Sequence, residues 1–229
     1  MGVWQMVREK FIILGSNVTV LGNFNPAILR PDFIEREFAE WGLGQVALAS
    51  DEAVSLVADI RYEKVRFFMD PNRMIVEDTN LVALENMNGP KIVRDYLRKL
   101  PYTPVKMIGL NLLIEVEAGN LAPVWKNIVE PSRVAKLLSN IGCSLINLTV
   151  RYTMVECVPC LTEATVFAQD AASMYIQLTL NSAPKELKAR VSFNGEFQDV
   201  VTNESRINFL AEHSLDVSQT FFKFLDILG

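Results

Sequence analysis

Cysteine and histidine are scarce in this 229-residue chain, which has three of the first and one of the second. Cys143, Cys157 and Cys160 are too few, and odd in number, for the disulfide framework of a secreted scaffold, so a reducing cytoplasm is the expected compartment. Any mechanism needing an imidazole base would have to use His213. Glu212 and Asp216 can hold that ring across a helical turn, but no nucleophile motif accompanies it. A solvated histidine on a polar helix face is the expectation. Clusters of basic charge are missing too. With 27 acidic against 22 basic residues, a net charge of -5 and no Lys/Arg stripe, nonspecific nucleic-acid binding is disfavoured.

No apolar run reaches the roughly 18 residues that a membrane span needs, because Ser16, Asn17, Asn23 and Asn25 interrupt the N-terminal candidate. Arg8 and Lys10 ahead of residues 11–14 imitate a signal peptide, yet the apolar stretch is short and 16–24 reads better as a strand of the fold. A phosphate-cradling loop is lacking as well. Gly15, Gly22, Gly42 and Gly44 do not form the strand-turn-helix spacing it requires, so nucleotide use has no positive support.

What is present suits a packed domain: 50% hydrophobic and 21% charged residues can fill a substantial core. Residues 172–229 are the most legible. Met174, Ile176, Leu178 and Leu180 alternate with polar neighbours, as do Leu187, Ala189, Val191 and Phe193, which is the two-residue period of half-buried strands. Asn194-Gly195 tolerates positive φ and predicts a tight hairpin returning through 196–201. Asn203 then caps a long amphipathic helix whose Ile207, Leu210, Ala211, Leu215, Phe221, Leu225 and Leu228 recur at steps of three and four. The apolar face of the preceding strands is its expected partner.

Upstream, strands are expected at 11–14 and 18–24, a turn at Asn25-Pro26, and a helix opened by Pro31 that presents Ile34, Phe38 and Trp41 on one face. Gly42 and Gly44 end it. A meander follows at 46–49, 54–62, 65–69 and 73–76, with Asp70-Pro71-Asn72 as a turn. Helices are expected at 81–87 and 90–100. Pro101 and Pro104 bracket the clearest internal junction. Beyond it come a central strand bearing Ile108, Leu110, Leu112, Ile114 and Val116, two short helices at 121–128 and 131–140, and extended segments at 143–155 and 163–169. Strands in runs, rather than in strict alternation with helices, give an α+β class: mainly antiparallel sheet covered by helices, with the C-terminal helix packed on the sheet. Residues 1–229 are read as one compact unit, with two intimately packed halves, 1–101 and 102–229, as the alternative.

Cys157-Val158-Pro159-Cys160 is the motif with direct chemical content. At a helix N-terminus the first thiolate would be stabilised by backbone N–H groups and the helix dipole. The four residues resemble the active-site spacing of thioredoxin-like oxidoreductases, including the intervening proline. That resemblance implies a strand before Cys157, a helix after Cys160 and thiol-disulfide exchange as the activity. Cys143 and His213 could complete a zinc set with the pair, but no second paired motif points to them. Glu115 and Glu117 end the central strand as a carboxylate pair whose ordinary role is a solvated strand end. Phe67-Phe68 and Phe221-Phe222 place aromatics on both faces of their elements, which leaves one of each pair for an interface.

No catalytic, cofactor-binding or metal-ligating residue is assigned. The expected function is that of a noncatalytic protein-interaction or assembly component of a cytoplasmic complex, with self or another protein as partner and a homo-oligomer favoured. Two alternatives stand beside it: a small apolar ligand held between sheet and C-terminal helix, and thiol-disulfide exchange at Cys157 and Cys160.

Overall fold

The computed structural model describes residues 11–49, 56–79, 86–117, 129–140, 142–155, 158–170, 174–182, 188–197 and 204. These comprise strands β1 (Phe11–Gly22), β2 (Val46–Ala49), β3 (Ala58–Tyr62), β4 (Val65–Asp70), β5 (Arg73–Asp78), β6 (Val105–Glu117), β7 (Cys143–Val155), β8 (Val158–Asp170), β9 (Met174–Ser182) and β10 (Lys188–Phe197). The α-helices among them are α1 (Pro31–Glu37), α2 (Gly89–Lys99) and α3 (Pro131–Ser139). The strand pairings with a defined register are antiparallel, so the class is mixed α and β with a mainly antiparallel sheet. The chain divides into two compact units, one built on Gly15–Asn111 and the other on Leu112–Glu196, so the division falls inside β6.

In the first unit the strand order is β2-β3-β4-β5-β1-β6. Alternation in the sequence becomes rows across the sheet: Val18, Val76, Phe67 and Ile60 are successive cross-strand partners, as are Val20, Met74, Met69 and Ala58. All eight are buried, together with Ile108 and Leu110 of β6. Period-two patterning therefore puts one side of each strand into a common core.

Helical segments supply further buried side chains to this unit. Pro31 sits in the first turn of α1, where a missing N–H costs nothing. Ile34, Phe38 and Trp41 are buried as their spacing predicts, although the helix stops at Glu37 and Trp41 belongs to a 3-10 turn, Ala39–Trp41. Gly42 and Gly44 adopt φ of 58° and 84°, a left-handed turn that a side chain would strain. The Phe38 and Trp41 rings stack at 4.0 Å, and Trp41 lies 6.0 Å from Phe67. α2 buries Ile92, Val93, Tyr96 and Leu97. The Asp70-Pro71-Asn72 turn forms as expected, with Asp70 Oδ1 accepting from the N–H of Asn72 at 2.8 Å and of Arg73 at 3.0 Å.

The second unit has the order β6-β10-β9-β8-β7. Ala164, Val166 and Ala168 of β8 are buried, and α3 contributes Val134 and Leu138 to the core of this unit. Two irregularities interrupt the β7–β8 ladder, at Ile146 and at Thr162, where one strand carries an extra residue.

Several expectations are corrected. Asn194-Gly195 does not make a hairpin: β10 runs straight through it to Phe197. β10 lies between β6 and β9, and ladder bonds on both sides override the local turn preference of Asn-Gly. The two N-terminal strands are one, β1, because Ser16 is buried in register with Asp78 rather than breaking the run. β3 starts at Ala58, leaving Leu56 and Val57 exposed before it. β8 starts at Val158 and includes Pro159, which the sheet accommodates because the β8–β9 register begins only at Glu163. The expected long C-terminal helix lies outside the described residues except for helical Glu204, as do residues 81–85 of the helix expected at 81–87 and the helix expected at 121–128.

Candidate functional site

Of the residues singled out for thiol chemistry, Cys157 lies outside the described residues and Cys160 falls within β8, opposite Thr153 of β7. A strand, not a helix, follows Cys160. The helix dipole that would depress a thiol pKa is therefore not at this position. Cys143 is buried at the start of β7. His213, Phe221 and Phe222 lie outside the described residues, as does the segment from Ile207 to Leu225 under which an apolar pocket was expected. Glu115 and Glu117 both fall in β6. Among the described residues no group of three or more His, Cys, Asp or Glu side chains could hold a metal ion.

The Phe67-Phe68 pair splits as the alternation requires: Phe67 is fully buried, and Phe68 is half-buried on the other face under the Arg73 guanidinium, 5.1 Å from its ring. That other face of the first unit carries a polar network the sequence did not announce. Arg66 of β4 grips Asp59 of β3 with two bonds of 2.9 and 2.6 Å and reaches Glu77 of β5 at 3.5 Å. Hydrogen bonding from Arg66 holds the Asp59 carboxyl below its ordinary pKa, and Asp59 in turn raises that of Arg66. Farther along, Asn111 of β6 donates to Asn17 Oδ1 at 2.8 Å and to Thr19 Oγ1 at 3.3 Å, both on β1.

One carboxylate lies inside. Asp78, only 5% exposed, ends β5 and accepts from the Asn88 N–H at 2.7 Å, the Asn88 side-chain amide at 3.1 Å and the Gly89 N–H at 3.2 Å. It thus caps α2 from a neighbouring strand. Glycine at 89 permits the approach, since a Cβ there would stand 3.2 Å from Asp78 Oδ2 and from Val18 Cγ2. Burial pushes the Asp78 pKa up, against the three N–H groups that pull it down. Tyr62, also buried, has a hydroxyl with no hydrogen-bond partner among the described residues, and burial pushes its pKa up to about 12. Arg66, Asn111 and Asp78 thus tie neighbouring elements together.

The second unit differs at its margin. β7 ends the strand order and, among the described residues, pairs only with β8. Ile146 and Tyr152 on β7 are 53% and 56% exposed, and Phe167 of β8 is 36% exposed. Between them Asn147, Thr149 and Arg151 are exposed as well. Arg151 pairs with Glu163 of β8 at 3.4 Å. Behind that row Thr165 and Thr179 share a hydroxyl hydrogen bond of 3.2 Å across β8 and β9. A long edge strand carrying large exposed apolar side chains can hydrogen-bond and pack against another extended chain. Sequence reading found β7 itself but not its edge position, which depends on strand order.

No protein-family model matches the chain, and no curated protein matches it. Among solved structures, a rolling circle replication initiator protein from Geobacillus stearothermophilus is similar with a TM-score of 0.37 and 8% identity, over 88% of this chain and 79% of that one. Protein Ms6760 from Mycobacterium smegmatis is similar with a TM-score of 0.27 and 10% identity, over 52% of this chain and 89% of that one. Likenesses this distant assign neither fold nor function.

Proposed function

We propose that this chain is a noncatalytic protein-interaction or assembly component of a cytoplasmic complex, and that β7 is the element through which it engages a partner. The observation that supports the reading is the combination at one place of an edge strand and the exposed side chains Ile146 and Tyr152. Edge strands of this length are ordinarily shortened, covered or charged, because open N–H and C=O groups invite pairing. Aromatic and large aliphatic side chains beside such an edge add the desolvation that interface anchors provide. No described helix is long and apolar enough to cross a membrane.

Native mass spectrometry of the protein purified from its own cell tests this directly. A homo-oligomer or a retained polypeptide, lost when Ile146 and Tyr152 are both replaced by Glu, is the expected result. A partner-free monomer, or assembly unchanged by that double substitution, overturns it.

A further inference from the structure

We infer that Asn88-Gly89 is a latent self-modification site, at which the chain converts Asn88 to aspartate or isoaspartate through a succinimide, and that Asp78 is the residue that holds this reaction off. The inference is independent of the role proposed for β7. An Asn-Gly pair is labile because the Asn side-chain carbonyl lies within reach of the next amide nitrogen, and glycine has no Cβ to obstruct the approach. In the step, the Gly89 nitrogen bonds to Asn88 Cγ, the bond from Cγ to Nδ2 breaks, and Nδ2 departs as ammonia with the proton lost by Gly89. Water then adds to one ring carbonyl and breaks its bond to the Gly89 nitrogen. Attack at Cγ gives aspartate, and attack at the backbone carbonyl gives isoaspartate.

One carboxylate holds both the nucleophile and the leaving group. Asp78 Oδ2 accepts from the Gly89 N–H at 3.2 Å, and Asp78 Oδ1 accepts from Asn88 Nδ2 at 3.1 Å. Nδ2 also donates to the Asn86 carbonyl at 3.3 Å. The Ile92 N–H donates to the Asn88 carbonyl at 3.0 Å, which fixes the peptide between Asn88 and Gly89 in the first turn of α2. Asn88 has a ψ of -30° in this arrangement. Ring closure needs its C–N bond to swing into near eclipse with Cα–Cβ, roughly a quarter turn away by tetrahedral geometry. That rotation breaks the bonds from Gly89 to Asp78 and from Ile92 to Asn88. Gly89 is buried besides. The gate is therefore a local opening of the junction between β5 and α2.

Once it reacts, the junction does not reclose. The aspartate product sets a carboxylate where Nδ2 had donated, so a donor facing Asp78 becomes a like charge facing it. Isoaspartate also routes the main chain through the former side chain, which misplaces the Gly89 N–H that Asp78 accepts from. Either product leaves the start of α2 without its cap, and the opening becomes one-way.

The test incubates the full chain in mildly alkaline buffer and reads aspartate and isoaspartate at position 88 by peptide mapping in a mass spectrometer. Asn88 should convert more than about tenfold more slowly in the native protein than in the same chain unfolded in urea. Asp78→Ala, with its circular dichroism spectrum retained, should speed the native conversion by about tenfold. Equal rates in native and unfolded chains overturn the inference. So does a native rate that Asp78→Ala leaves unchanged, or one that it lowers, which would make Asp78 a base for the reaction and not its guard. Asn88→Asp supplies the product directly and decides the matter where Asp78→Ala fails to fold. Hydrogen exchange at the Ile92 and Val93 amides should then quicken by more than about tenfold while β4 and β5 keep their protection. Unchanged protection in α2 overturns the one-way opening.

Discussion

The two units treat their polar and apolar residues differently. In the unit built on Gly15–Asn111, β4 and β5 alternate without interruption, and the face away from the core is knitted by Arg66, Asp59 and Glu77 and by Asn17, Thr19 and Asn111. In the unit built on Leu112–Glu196, the β7–β8 ladder slips twice and leaves Ile146, Tyr152 and Phe167 exposed. Regular register lets polar groups on neighbouring strands find each other, whereas an extra residue re-aims side chains and leaves some without a neighbour. The first arrangement stabilises; the second leaves large apolar side chains exposed.

Breaking that comparison begins in the core of the first unit. Phe67 is fully buried against Trp41 and Tyr62, so Phe67→Ala should cost about 3–5 kcal/mol in urea unfolding. Ile146→Ser on β7 should change the stability of the monomer by no more than about 0.5 kcal/mol. Equal costs at the two positions would remove the distinction between them.

Asp78 comes next. Asp78→Ala leaves the N–H groups of Asn88 and Gly89 without their acceptor and should cost about 1–3 kcal/mol. The pH dependence sharpens the point. Because the folded-state pKa of Asp78 is raised, the folded protein holds this proton more tightly than the unfolded chain. The stabilising contribution of that titration is fully present below the unfolded pKa, about 3.9, and is lost as pH rises through the folded value. Asp78→Asn should abolish this descending component. Asp59, whose pKa is lowered, contributes the opposite slope, present above its unfolded pKa and lost as pH falls through the folded one.

A smaller effect is expected at Arg66, whose side chain is about one-third exposed. Arg66→Ala should cost no more than about 1 kcal/mol, since solvent screens the pair. It should also return the Asp59 pKa upward in an NMR titration; an unmoved Asp59 would mean that the guanidinium does not control it. The smallest change belongs to Tyr62→Phe. Removing a buried hydroxyl that has no partner among the described residues should leave thermal stability unchanged or slightly raised, and a clear loss would reveal a hydrogen bond at that oxygen.

Sequence patterning carried far in the first unit. Val18, Val20, Phe67, Met69, Met74 and Val76 reach the core on spacing alone, and Pro31, Gly42 and the Asp70 turn act where their backbone chemistry directs. It carried less well where long-range pairing competes with local preference. Asn194-Gly195 reads as a turn, and a strand on either side of β10 makes it extended. Cys157-Val158-Pro159-Cys160 reads as a redox motif only if a helix follows, and β8 occupies that position. The candidate interaction edge was not legible, since being last in a sheet is a property of strand order and not of the strand's own residues.

What the sequence determined by itself is therefore local: which side of each strand is apolar, where φ must turn positive or stay near the value proline fixes, and which segments coil. Those follow from side-chain period and backbone sterics, which act over a few residues. Tertiary structure alone decided that Asp78 would cap a helix eleven positions away from its own strand end, that Arg66 would bridge two neighbouring strands, and that β7 would lie at the margin. Those outcomes depend on which segments meet across long separations, and contact free energy between distant residues is not written in the composition of either one.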